Sequence, residues 1–256
     1  MRAAPDRPRV SARLKLDERA ITVASLALLA ALAWLYLLCV PMPMPGLQGV
    51  VSLPYAAFTF LMWLVMMVAM MTPAVTPVVL LFDRVQGYPA GGARARTWAF
   101  MGGYFSAWAA FSLAVTGLQL LLIALQWLDA MTVSQRVPLT AALLLAVGCY
   151  QWMPAKVACL AQCRGPVAFL TQRYRPGLAG GWRMGLEHGL YCVGCCWLLM
   201  LLLFVGGVMN LLWVAALTIV ISAERLLVRG EWLRRALGVL LVVAGAGLLL
   251  RHYAAR

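Results

Sequence analysis

A chain of 256 residues that is 64% hydrophobic and only 11% charged is not a water-soluble domain, which would carry about 25% charged residues. Its net charge of +13 does not signal nucleic acid. The basic residues lie in short clusters between apolar runs, where membrane topology places them and anionic lipid headgroups supply the counter-charge.

Residues 1–19 form a basic arm with Arg2, Arg7, Arg9, Arg13, Lys15 and Arg19. The apolar run 20–40 that follows is too long for a secretory h-region and lacks a small-residue cleavage site, so it reads as a retained first span. It ends at the uncharged loop Pro41-Met42-Pro43-Met44-Pro45. Span two is expected over 56–82 and is closed by Asp83-Arg84. Span three, 98–126, follows a loop carrying Arg84, Arg94 and Arg96, and Asp129 and Arg136 lie beyond it. Span four, 137–153, stops where Pro154 and Lys156 break the apolar pattern.

The stretch 155–183 is the longest polar one after the arm and reads as a loop. Within it, 157–170 is apolar enough to lie as a surface helix. Span five is expected over 186–205. Gly206-Gly207 then interrupts an apolar run too long for one crossing, which places a tight turn there. Span six, 208–224, ends at Glu224-Arg225; span seven, 232–250, precedes a short tail, 251–256. The expected fold is all-α: one transmembrane domain over 20–250, a polytopic bundle of seven helices.

Charge tests this layout independently. With the N-terminus inside, 18 of the 21 Lys and Arg fall on inner segments, and only Arg136, Arg251 and Arg256 fall outside. That is the asymmetry the positive-inside rule expects, and it puts the C-terminus outside. Merging spans five and six would reverse the last basic loop.

Sulfur is concentrated in three places. Span two reads Trp63-Leu64-Val65-Met66-Met67-Val68-Ala69-Met70-Met71-Thr72-Pro73. Met66 with Met70, and Met67 with Met71, are four apart and share helix faces. Thioether sulfur is a soft ligand suited to Cu(I), although methionine also serves as a flexible gap-filler. Cys159 and Cys163 are likewise four apart after span four, and small thiols packing against a basic surface helix would give the same pattern. Span five carries Glu187-His188-Gly189-Leu190-Tyr191-Cys192-Val193-Gly194-Cys195-Cys196-Trp197. Cys195 and Cys196 both approach the helix face of Cys192, a pattern open to metal ligation, thiol redox chemistry or close packing with Gly189 and Gly194. His188 is a metal-ligand candidate beside them; snorkelling or pairing with Arg183 is its plainer account. Gln119, Asn210 and Glu224 are polar points within spans, for which helix-to-helix hydrogen bonding suffices. Gly102-Gly103 with Ser106 read as a close-packing face. The chain has no phosphate-cradling motif and is not expected to be an enzyme.

These motifs resemble the DUF2182 family, described as predicted metal-binding integral membrane proteins. The resemblance rests on three stretches over about 63–225: Trp63 to Pro73, Lys156 to Pro166, and Gly189 to Trp197 continuing to Asn210 and Trp213. Val214 stands where a further methionine would be expected. The resemblance implies metal binding of a copper-chaperone-like kind.

The leading expectation is a multi-pass protein of a bacterial inner (cytoplasmic) membrane that binds Cu(I), or another soft metal, and moves or delivers it. Cys192, Cys195 and Cys196 would form the main thiolate set, with Met66, Met67, Met70 and Met71 opposite. Cys159 and Cys163 would form a cytoplasmic loading or unloading site. Its partners are the lipid bilayer, the metal ion and a protein partner in a membrane complex, not nucleic acid. Two other readings stay open: a thiol–disulfide carrier using Cys192 and Cys195, and a non-catalytic subunit or assembly factor of a larger complex.

Overall fold

The computed structural model describes residues 7–40, 52–85, 93–128, 137–227 and 230–254, with side chains from residue 19 onward. The loop 41–45, Asp129, Arg136 and most of the basic arm's side chains lie outside the described residues. Ten helices run through the described chain: α1 (Arg7–Cys39), α2 (Leu53–Val85), α3 (Ala93–Ala124), α4 (Val137–Tyr150), α5 (Pro154–Arg164), α6 (Pro166–Arg173), α7 (Gly177–Leu201), α8 (Leu203–Gly206), α9 (Leu211–Leu226) and α10 (Gly230–Ala254).

The all-α expectation holds, and the described helices do not by themselves add up to seven spans. By length and composition, five helices among the described residues can cross a membrane: Arg19–Cys39, Leu53–Val85, Arg94–Ala124, Gly177–Gly206 and Gly230–Ala254. A sixth is obtained if α4 and α5, bent by 63° at their junction, form one broken span. The expected span four is a helix of only 14 residues before this bend. The expected span six is α9, whose 16 residues reach about 24 Å, short of a hydrocarbon core of about 30 Å.

The stretch 155–183, expected as a loop with a surface helix over 157–170, is mostly helical, through α5, α6 and the start of α7. Pro154 and Pro166 each occupy a first helical turn and start α5 and α6, where a missing N–H costs nothing. Both helices pack into the bundle, burying Lys156, Leu160 and Cys163 from α5 and Phe169 and Leu170 from α6. The anticipated break at the glycine pair is present. Gly207 has φ of +90°, a left-handed conformation that favours glycine. Asn210 caps α9 by accepting the Trp213 amide at 3.2 Å.

The most extensive helix pair is α3 against α7. Glycines set its closeness: a Cβ on Gly103 would lie 1.9 Å from the Trp182 carbonyl oxygen, and one on Gly185 1.9 Å from that of Phe100. Helix backbones in lipid approach this closely only through small residues. On the other side α2 packs against α1, α3 and α9. Gln119 of α3 accepts the Trp63 indole N–H at 2.7 Å, so this polar residue joins helices as anticipated.

Candidate metal centre

The α-helical repeat brings Cys192, Cys195 and Cys196 to one face of α7, and all three are buried. The Cys195 and Cys196 thiols turn back and donate to the Cys192 carbonyl at 3.2 and 3.0 Å. Each neighbouring helix adds one group. From α5, which packs against α7, Cys163 is buried in the same core as Cys192, Cys195 and Cys196. From α3, the Tyr104 hydroxyl lies 2.8 Å from the Cys192 sulfur, at the close approach that Gly185 and Gly189 permit.

The third contribution comes from α9 and was not foreseen. Arg225, which closes the apolar run like any boundary charge, is buried against the thiols. Its Nη1 donates to the Cys192 sulfur at 2.8 Å. Its Nη2 lies 3.0 Å from the Cys195 sulfur, 3.3 Å from that of Cys196 and 3.1 Å from the Cys192 carbonyl oxygen. A guanidinium among sulfurs is the Coulombic complement of thiolate, and the low local dielectric strengthens that attraction.

A second buried network holds the end of α9 in place. Lys156 of α5 is fully buried; it donates to Glu224 at 2.8 Å and also bonds Gln151. Glu224 is therefore an ion-pair partner rather than only an interhelical hydrogen-bonder. Lys156 and Arg225, both counted above as loop charges, belong to the bundle interior.

His188 is also buried, not snorkelling and not paired with Arg183. It sits one helical turn before Cys192, ringed by Phe169, Tyr104 and Phe100 with centroids 5.1, 6.0 and 6.1 Å away. Its Nδ1 has no hydrogen-bond partner among the described residues. The adjacent Glu187 instead faces outward and pairs with Arg173 and Arg175, each at 3.1 Å.

Cys159 is less buried than Cys163 and lies against α7 at Gly194, where a Cβ would come 2.9 Å from its sulfur. Of the two, Cys163 is buried in the core with the α7 thiols and Cys159 is partly buried against it. Met66, Met67, Met70 and Met71 are buried in the same apolar core as the cysteines, on a helix that packs against α1, α3 and α9.

The donor set is chemically apt for a soft cation, since thiolate selects Cu(I) and other soft ions. Among the described residues no three of His, Cys, Asp and Glu are already arranged to hold a metal ion.

The family described as PpoB2, copper chaperone, matches residues 60–248 of the chain. That range takes in the methionine stripe, all the cysteines of the cluster, and Tyr104, Lys156, Glu224 and Arg225. No curated protein and no solved structure matches the chain.

Proposed function

Taking as premise that the chain belongs to the copper chaperone family, we propose that it holds Cu(I) between the thiolates of Cys192 and Cys195 and passes it on within the membrane. The observation that carries this reading is the buried Arg225 guanidinium bonded to both sulfurs. Two thiolates and one guanidinium leave a single negative charge, which one monovalent cation neutralises. A divalent ion on the same two thiolates would leave an uncompensated positive charge in low dielectric, which is costly.

Cys163 and Cys196 adjoin the pair and offer successive sulfurs by which a two-coordinate ion can be exchanged. His188 offers a neutral nitrogen one turn away. Burial also supports copper over thiol–disulfide exchange, because an incoming partner thiol must reach the sulfur it attacks, and Cys192 and Cys195 are 0% and 2% exposed. We read the chain as a carrier rather than an enzyme, set in a bacterial inner membrane with its N-terminus inside. The DUF2182 signatures then correspond to the sulfur-bearing stretches of α2, α5 and α7.

The test is a Cu(I) competition titration of the detergent-solubilised chain against a chromogenic chelator of known affinity. The intact chain is expected to hold one tight equivalent, and the Cys192→Ser/Cys195→Ser variant to lose it. An unchanged tight equivalent in that variant would overturn the proposal.

A further inference from the structure

A cavity of about 450 Å3 lies where the end of α1, the first half of α2 and the link between α8 and α9 meet. Cys39, Met62, Met66 and Met209 all line it, together with the Tyr36 side chain. The chain has seven cysteines and 14 methionines in 256 residues, so about one such residue in a lining of this size would be ordinary.

Packing alone does not account for it. Methionine is the residue that bends to fill irregular gaps, and protein interiors leave few voids larger than a water molecule. Here Met62 and Met66 are buried and still border open space. Leu211, at the start of α9, borders the same cavity, and Arg225 sits 14 residues further along that helix, about 21 Å away. One short helix therefore links the cavity to the thiol cluster. On α2, Met62, Met66 and Met70 recur every four residues on one face, running inward from the cavity.

We propose that this cavity is a second site for a soft monovalent metal ion, Cu(I), held by the thioethers of Met62, Met66 and Met209 with Cys39. It rests on the reading of the chain as a copper carrier but not on the thiol cluster. Three of the four ligands are thioethers, uncharged and with no proton to displace, and Cys39 supplies at most one thiolate, so the ion is held more loosely here than between two thiolates. A tight and a loose site at the two ends of α9 are the arrangement a carrier needs to receive an ion at one end and give it up at the other.

The experiment uses the full chain in detergent, titrated anaerobically with Cu(I) under ascorbate, with bound metal counted against two chelators of different strength. Sulfur ligation is read by X-ray absorption. The intact chain is expected to bind two equivalents, the second at least 100-fold weaker than the first. Met62→Leu/Met66→Leu/Met209→Leu, which conserves volume, is expected to lose the weak equivalent and keep the tight one. Cys192→Ser/Cys195→Ser is expected to do the reverse, with thermal melting verifying that both variants are folded. Two equivalents retained by the leucine variant overturn the cavity site. A single equivalent abolished by the serine changes overturns it as well, and leaves the thiol site standing. A single equivalent that survives the serine changes and disappears with the leucine changes sinks the thiol site and supports the cavity.

Discussion

Replacing Arg225 with glutamine separates a supporting role for the guanidinium from an obstructing one. The side chain bonds the Cys192 and Cys195 sulfurs at 2.8 and 3.0 Å. Hydrogen bonds to charged groups contribute about 1.5–3 kcal/mol each, so the two together contribute about 3–6 kcal/mol to a thiolate-bound ion. Removing the guanidinium also removes the cost of burying it, several kcal/mol, which offsets about half and leaves about 1.5–3 kcal/mol. The loss falls on the copper-bound state, because without metal the thiols can take up protons and need no counter-charge. Arg225→Gln should therefore weaken the tight Cu(I) site by about 10- to 150-fold. Arg225→Lys keeps the charge but loses the two-pronged geometry, and should fall between. Tyr104→Phe deletes a single contact, worth about 1 kcal/mol or roughly fivefold. Chelator competition on the solubilised variants measures all three. If Arg225→Gln binds Cu(I) as tightly as the intact chain or more tightly, the guanidinium is a competitor for the thiolates and the charge argument is wrong.

The close contact of α3 and α7 predicts that Gly103→Ala cannot be accommodated without moving backbone, since the added carbon meets a carbonyl oxygen at 1.9 Å. Its melting temperature should fall sharply, whereas Gly117→Ala, with nothing within 4 Å of the new carbon, should melt as the intact chain does. Breaking the buried Lys156–Glu224 pair by Glu224→Leu alone should cost about 3–5 kcal/mol, while Lys156→Met/Glu224→Leu together should cost less, because no unpaired charge remains. A double variant less stable than the single one would show that the pair does more than neutralise itself.

Much of the helix layout was legible along the chain because lipid imposes a one-dimensional rule: about 20 apolar residues make a span, and charges mark its ends. The same rule explains where that reading failed. A buried charge and a boundary charge look alike in sequence, so Lys156, Glu224 and Arg225 read as the edges of apolar runs. The bundle instead folds them inward as an ion pair and a guanidinium over the thiols. Likewise 155–183 is polar on average, and only the packing of α5 and α6 shows that Lys156 is buried and paired while the other charges of the stretch stay at the surface. The prolines that start these helices were visible, but hydropathy carries no information on what a short helix rests against.

The sequence by itself determined an all-helical, lipid-facing chain and the grouping of Cys192, Cys195 and Cys196 on one face of one helix. Both are local properties, set by hydropathy and by a repeat of 3.6 residues. Tertiary structure alone decided that Cys163 is buried with those thiols and Cys159 only partly so, that Tyr104 and Arg225 reach the sulfurs, and that Cys39 and Met209 share a cavity with Met62 and Met66. These neighbours lie tens of residues apart or more. Which helices meet depends on where glycines let backbones touch, a relation between faces that no single stretch of chain contains.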